Sequence, residues 1–160
     1  MIRRPGPGDN QRSAGAEENS LITVVLADDE PVVRSALRAL FDDDERFSVV
    51  GEAEDAAGCV ELVLAHDPDV VLLDVRMPGG GLWAAQQLRT WAARSVVAVL
   101  SARLDPVLLA RLLAVGVTGA FDKGAVGSGF PDLISRCASG ERVLQAAAAE
   151  EALRMHENFG

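Results

Sequence analysis

Five short apolar runs, each followed by a stretch of helical character, constrain the fold of this chain more than any other feature. The runs are continuous in valine and leucine, which is typical of strands buried on both faces. Five successive strand–helix units predict a parallel α/β sheet with helices on both sides. The runs lie near residues 22–27, 47–53, 69–73, 96–100 and 117–121, and the helical stretches near residues 31–42, 56–66, 82–93, 104–115 and 127–139.

The order of the predicted strands indicates where a ligand would bind. Right-handed crossovers in a doubly wound five-stranded sheet allow the order 2-1-3-4-5, which makes the first and third strands central neighbours. Ligands of such sheets bind outside the carboxyl ends of the strands, at the point where the strand order reverses. The candidate site is therefore expected beyond the ends of the first and third strands.

Four of the five predicted strands end in side chains suited to a cation or a phosphate. Asp28 and Asp29 follow the first strand, Asp74 the third, Ser101 the fourth and Lys123 the fifth. Lys123 is the only lysine, against fourteen arginines, and lysine is a compact point charge whereas arginine is a planar fork. Clustered carboxylates repel one another unless a cation joins them, and Mg²⁺ binds carboxylates together with water and phosphate oxygens. The sequence predicts a single cation-and-phosphate site.

Asp74 is the candidate nucleophile of this site. An aspartate carboxylate can attack phosphorus and form an aspartyl-phosphate, and Asp74 ends the central strand before a loop with three glycines at residues 79–81, which we interpret as flexible. Lys123 and the Ser101 hydroxyl would contact the phosphoryl oxygens. Ser101 could also cap the next helix, and we interpret Glu30 as a first-turn acid that favours the helix dipole.

Four motifs, in the correct order, resemble the receiver domain of bacterial two-component response regulators. They are LADDEP at residues 26–31, LLDVRMP at 72–78, LSA at 100–102 and FDK at 121–123. The resemblance covers roughly residues 21–141, and SGERVL at 139–144 is similar to the end of NarL/LuxR-type receivers. It implies a flavodoxin-like (βα)5 fold of order 2-1-3-4-5, dependence on Mg²⁺, and phosphotransfer from a sensor histidine kinase.

The resemblance also implies a set of Mg²⁺ ligands. By position in the motifs, Asp29 and Asp74 would bind the ion directly. Asp28 would act largely through water. The backbone carbonyl of Arg76 would be a further ligand.

The resemblance implies a phosphorylation switch, and at one position of that switch this chain departs from the family pattern. The phosphoryl group would sit on Asp74, pair with Lys123 and draw the hydroxyl of Ser101. The family has Tyr or Phe three residues before the lysine, but here that position is Ala120, with Phe121 beside it. Either Phe121 substitutes from the neighbouring side of the strand, or signalling uses backbone shifts.

The ends of the chain differ in composition from its middle. Residues 1–20 are rich in Pro, Gly, Asn, Gln, Ser and Glu and are predicted to be a disordered tail. Residues 21–141 are the expected receiver domain, and the alanine-rich residues 142–160 a helical tail or linker. Only 18 residues follow Arg142, below the roughly 40 that an independent fold needs. We expect a truncated protein or a stand-alone receiver that lacks the helix-turn-helix output domain.

Charge and hydropathy limit the expected partners. A net charge of −9 argues against direct binding of nucleic acid by this chain, and no apolar run approaches the roughly 20 residues of a membrane span. Cys59 and Cys137 are interpreted as reduced core thiols, which fits the cytoplasm. We expect a cytoplasmic protein, with a possible homodimer through the fourth helix, fifth strand and fifth helix or through the C-terminal tail.

These observations favour a phosphorylation-dependent signalling switch of a phosphorelay, which is not an enzyme and which controls transcription through an absent or separate output domain. The alternative, motivated by Ala120, is a receiver-like interaction module that works without phosphorylation. A phosphatase of the haloacid dehalogenase type is disfavoured, because that family needs a second aspartate where this chain has Arg76.

Overall fold

The structure is a computed structural model that describes residues 20–159. Within these residues, six parallel strands form one sheet of order β2-β1-β3-β4-β5-β6. The predicted disorder of residues 1–20 falls, apart from Ser20, outside the described residues. The strands are β1 (Ile22–Ala27), β2 (Phe47–Ala53), β3 (Val70–Asp74), β4 (Val96–Ser101), β5 (Gly119–Asp122) and β6 (Val143–Gln145), and the helices are α1 (Pro31–Asp42), α2 (Ala56–His66), α3 (Gly81–Trp91), α4 (Pro106–Ala114), α5 (Phe130–Ala138) and α6 (Ala149–Phe159).

The predicted α/β fold is confirmed, including the order 2-1-3-4-5 of the first five strands. Continuous valine and leucine runs form central strands because both faces of the sheet are covered. Strands β1 and β3 are neighbours, with Val24 paired with Val70 and Ala27 with Leu73. The reversal of strand order therefore lies between them, as the sequence predicts.

Helix boundaries follow from local chemistry. The side chain of Asp55 accepts a hydrogen bond from the Gly58 N–H (2.7 Å) at the start of α2, and Asp105 accepts one from the Val107 N–H (2.7 Å) at the start of α4. Such caps satisfy backbone donors that the first helical turn leaves free. None of the helices within residues 20–159 has the length and apolar character that a bilayer span requires.

The sheet separates two apolar layers. One face of the strands packs with α2, α3, α4 and α6, and the other with α1 and α5. Successive strand residues alternate between the layers, because side chains point to opposite faces with a period of two. Ala120 thus belongs to the first layer and Phe121 to the second.

The glycines after β3 are needed for close packing as well as for their backbone conformation. A Cβ on Gly81 would lie 2.7 Å from the Val75 Cα and 2.9 Å from the Asp74 carbonyl oxygen. Gly79 and Gly80 have φ of 89° and 85°, a region that favours glycine. The flexibility of this loop stays a prediction, and the structure adds a close packing of the start of α3 against the end of β3.

The C-terminal segment contains a strand that the sequence analysis did not predict. The helical tail was expected from residue 142, but β6 forms first and α6 begins only at Ala149. The outer edge of β5 offers free backbone groups, and pairing satisfies them. The Val143 N–H donates to the Thr118 carbonyl oxygen at 2.9 Å.

Candidate functional site

Three carboxylates meet at the carboxyl ends of β1 and β3. Oxygens of Asp28, Asp29 and Asp74 all lie within 4.8 Å of one another. Asp28 and Asp74 are buried, with exposed fractions of 1% and 3%, whereas Asp29 is exposed. The parallel register of β1 and β3 brings the two chain segments to the same edge of the sheet. The cluster therefore has a buried base and one side open to solvent.

The only lysine of the chain belongs to this cluster. The Lys123 Nζ lies 2.8 Å from the Asp28 Oδ2 and 3.5 Å from the Asp74 Oδ2. It also lies 2.7 Å from the Glu30 Oε1. Burial acts to lower the pKa of Lys123, but its close contacts with the carboxylates of Asp28 and Glu30 outweigh burial and raise the pKa above its ordinary value. Lys123 is therefore a fixed positive charge.

Glu30 is a residue of this site that the sequence analysis assigned to another role. It was interpreted as an acid that favours the helix dipole, but its carboxylate binds Lys123, 93 positions along the chain. Its place directly after Asp28 and Asp29 was the available signal, because three consecutive acids in one loop lie at the same edge of the sheet.

Asp74 is held in an environment that opposes its ionisation. Burial, followed by the charges of Asp28 and Asp29, raises the pKa of Asp74 from 3.8 to about 6, against the opposing effects of the Arg76 N–H and of Lys123. The Arg76 N–H donates to the Asp74 Oδ1 at 3.2 Å. A cation or an electrophile placed at Asp74 would reduce the electrostatic cost of its ionised form, since either one neutralises negative charge. The role of the Arg76 carbonyl stays a prediction.

Asp28 offers an oxygen that fits a metal ion or its water. The Oδ1 atom accepts a hydrogen bond from the Glu30 N–H at 2.9 Å. The buried Oδ2 atom receives no hydrogen bond of normal geometry from residues 20–159, so its 2.8 Å contact with Lys123 is an ion pair. Three carboxylates that converge within 4.8 Å fit Mg²⁺, a hard ion that prefers oxygen ligands.

Ser101 lies at the end of β4, next to Leu100, which pairs with Asp74. Its side chain is fully buried. The Oγ atom donates to the Arg103 carbonyl oxygen at 3.0 Å and accepts from the Arg103 N–H at 3.2 Å. Helix α4 is capped by Asp105, so Ser101 is not a helix cap. Its hydroxyl is bonded within its own loop.

Phe121 does not lie on the same side of β5 as Ala120. Its ring packs edge-on against Phe130, with 5.2 Å between centroids and 84° between planes. This contact lies in the layer of α1 and α5, whereas Ala120 faces the layer of α4 and α6. The alternation of side chains along β5 separates the two residues. The structure thus places Phe121 on the side of β5 opposite to Ala120, and which of the two alternatives left open by the sequence operates stays a prediction.

Comparison with known proteins decides the family. The response regulator receiver domain family matches residues 24–135, which is the greater part of the chain. This chain belongs to that family. Response regulator receiver domains are generally non-enzymatic signalling modules, and their acidic aspartate cluster binds Mg²⁺. The resemblance stated from the four motifs is thereby confirmed.

Curated relatives of this receiver domain are LuxR-type response regulators. The "Probable transcriptional regulatory protein NarL" of Mycobacterium tuberculosis is 34% identical over 124 residues, which are 77% of this chain and 57% of that protein. The "Response regulator GacA" of Pseudomonas aeruginosa is 35% identical over 133 residues, 82% of this chain and 62% of that protein. The chain spans less than two thirds of the length of these relatives.

Solved structures agree with the fold. The signal receiver domain of the putative response regulator NarL from Mycobacterium tuberculosis has a TM-score of 0.72 at 34% identity and covers 76% of this chain and 98% of that one. A LuxR-family response regulator from Aurantimonas has a TM-score of 0.77 at 25% identity and covers 86% of this chain and 99% of that one. The two-component class and the flavodoxin-like receiver fold are therefore shown.

Proposed function

We propose that this receiver domain is a phosphorylation-dependent signalling switch, in which Asp74 accepts a phosphoryl group from a sensor histidine kinase. The observation that carries the proposal is the 3.5 Å contact between Lys123 and Asp74 inside the acidic cluster. An ammonium beside a buried carboxylate can pair with a phosphoryl group bound there. Membership of the receiver family supports the same chemistry.

The proposed metal ligands are the residues that converge at the cluster. Asp29 and Asp74 would hold Mg²⁺ directly, Asp28 would act largely through water, and the Arg76 carbonyl would complete the protein's share. When bound, the ion would supply positive charge against the carboxylates and the phosphoryl oxygens. The convergence of the three carboxylates within 4.8 Å supports this assignment.

The transfer itself exchanges one bond for another. A carboxylate oxygen of Asp74 attacks the phosphorus of a phosphohistidine, so that a P–O bond forms as the P–N bond breaks. The imidazole nitrogen leaves with the electron pair and takes up a proton from solvent. Lys123 then pairs with a phosphoryl oxygen, which reduces the hold of Asp28 and Glu30 on its ammonium.

An apolar groove beside the site fits a docking phosphodonor protein. Val32, Val33, Ala36, Leu37 and Val126 line a cavity of about 210 Å³ together with Lys123. The side chain of Val32, at the rim, is 81% exposed. A partner that delivers phosphate to Asp74 must cover this edge of the sheet, so we assign the groove to the histidine kinase.

The switch would act through the loop after β4. A phosphoryl group on Asp74 would draw the Ser101 hydroxyl, which must then give up its bonds to Arg103. The result is a shift between two populations, biased by one new group of charges. The affected face is formed by α4, β5 and α5.

The proposal keeps residues 21–141 as the switch and residues 142–160 as an appended segment. Transcription control by this chain is proposed from its relatives, one of which is named as a probable transcriptional regulatory protein. It would work through an output domain that is absent from these residues or separate. The cytoplasm is the proposed location, and homodimerisation through α4, β5 and α5 or the C-terminal segment stays a prediction.

A second candidate function is an interaction module that does not depend on phosphorylation. The buried Ala120, in place of a mobile ring, favours it. An adduct with beryllofluoride that leaves the NMR shifts of α4 and β5 unchanged would support this candidate.

Labelling with acetyl phosphate tests the main proposal. Wild type should gain one phosphoryl group in a Mg²⁺-dependent manner, measured by intact mass, and Asp74→Asn should gain none. Asp105→Asn is the matched control, because Asp105 lies outside the cluster and asparagine also caps helices. Wild type that labels no better than Asp74→Asn would refute the proposal.

A further inference from the structure

The C-terminal segment covers the face that the proposed switch would remodel. We call residues 143–159 the C-terminal cap. Its strand β6 pairs with β5, with Val143 opposite Gly119 and Leu144 opposite Ala120. Its helix α6 packs against α4. Two of the three elements of this face, α4 and β5, are thus in contact with the cap.

The cap meets this face through small side chains. Ala146, Ala148 and Ala152 are buried in the same apolar layer as Ala120, and Ala120 and Ala152 have no exposed surface. Protein interiors are packed as densely as organic crystals. An aromatic ring at position 120 would need space in the layer that these alanines fill. The alanine at position 120, where the family has a ring, is therefore compatible with the packing of the alanine-rich cap in this layer.

Two connections join the cap to the phosphoacceptor site. The Ala147 N–H donates to the Asp122 Oδ2 at 3.0 Å. Asp122 pairs in register with Ser101 and immediately precedes Lys123, so the residue that holds the cap neighbours two residues of the proposed switch.

The second connection passes through the loop that follows Ser101. The hydroxyl of Ser101 holds Arg103 by two hydrogen bonds. The next residue, Leu104, is buried in the same layer as Ala148 and Ala152 of the cap. If Ser101 turns toward a phosphoryl group, these bonds break and the position of Leu104 is no longer fixed.

We propose that the C-terminal cap is an intrachain cover of the α4–β5 face, that Ala120 is the residue that admits it, and that phosphorylation of Asp74 releases it. This inference rests on the proposed function for its trigger. The cover itself depends only on packing. In the unphosphorylated protein the cap keeps β5 from being an edge strand, and its release exposes that edge together with α4.

Amide hydrogen exchange followed by NMR tests the cover. The reporters are the Ala147 and Ala152 amides, bonded to Asp122 and to the Ala148 carbonyl, and Leu72 in β3 reports global stability. In Ala120→Phe the two cap amides should exchange about tenfold faster or more, while Leu72 is unchanged, because the cap opens locally. Ala39→Phe, which adds the same ring at an exposed alanine of α1, is the matched control and should change none of them.

Wild type with Mg²⁺ and beryllofluoride tests the release. Fluorine NMR shows whether the adduct has formed, and the cap amides should then exchange about tenfold faster or more. An adduct that leaves Ala147 and Ala152 as protected as before overturns the release.

The outcomes separate this inference from the proposed function. Absence of any adduct overturns the proposed function and, with it, the trigger. A folded Ala120→Phe with fully protected cap amides overturns the cover. If Ala120→Phe loses protection at Leu72 as well, it is unfolded, and the beryllofluoride measurement on wild type decides.

Discussion

Replacing Asp74 with asparagine is expected to stabilise the metal-free protein at neutral pH. Burial and the neighbouring acids raise the pKa of Asp74 to about 6 from 3.8, so the folded state binds this proton more tightly than the unfolded chain does. The stability that protonation contributes is therefore complete below about pH 4 and is lost as the pH rises through 6. Asparagine carries no charge in either state and loses nothing over this range.

The size of the effect follows from the shift. One pKa unit corresponds to about 1.4 kcal/mol, so a shift of about two units corresponds to about 3 kcal/mol. We expect the free energy of unfolding of wild type, relative to Asp74→Asn, to fall by about 2–3 kcal/mol between pH 4 and pH 7.5. The contact of Asp74 with Lys123 is already part of the shift.

Urea unfolding with EDTA, followed by far-UV circular dichroism, measures this difference. Fluorescence is a poorer probe because Trp83 and Trp91 are already 42% and 66% exposed in the folded state. Asp105→Asn, outside the cluster, should keep a constant difference from wild type. A difference between wild type and Asp74→Asn that does not change from pH 4 to pH 7.5 would refute the reasoning. Excess Mg²⁺ should then stabilise wild type by about 2.7 kcal/mol at 100 times its Kd, and Asp74→Asn by less.

Two further predictions concern the surroundings of Asp74. Gly81→Ala should lower the free energy of unfolding by about 1–3 kcal/mol, because its Cβ would lie 2.7 Å from the Val75 Cα. The control is Gly127→Ala, because a Cβ at Gly127 would meet no atom within 4 Å. Equal losses of stability in the two variants would contradict the packing argument. Glu30→Gln should lower the pKa of Lys123, because the Glu30 carboxylate helps to raise it. Because Lys123 is the only lysine, NMR of its methylated amine can follow the titration of this residue. An unchanged pKa of Lys123 in Glu30→Gln would show that the Glu30 carboxylate does not raise it.

The sequence analysis succeeded where the signal is local or follows from the period of the strands. Continuous apolar runs placed the first five strands within two residues of their observed starts and ends. Because parallel strands end at a common edge, the acids after β1 and β3 and the lysine after β5 could be expected to meet. The contacts of Lys123 with Asp28 and Asp74 agree with that expectation.

The features that the sequence analysis did not predict depend on contacts between residues that are distant in the chain. The strand β6 has only three residues, and it exists because β5 offers an unpaired edge. Glu30 looked like a helix-start acid because its partner, Lys123, is 93 positions away. The packing role of Gly81 was missed because the backbone that Gly81 approaches comes close to it only after β3 and α3 pack.

Residue types and their spacing were sufficient for the family, the order of the first five strands and the identity of the acidic cluster, since each depends on periodicity and on the common direction of parallel strands. Packing alone established which layers receive Ala120 and Phe121 and where the C-terminal cap lies. Those features depend on the space between α4, α6 and β5, and that space is formed by residues far apart in the chain, which only the folded backbone brings into contact.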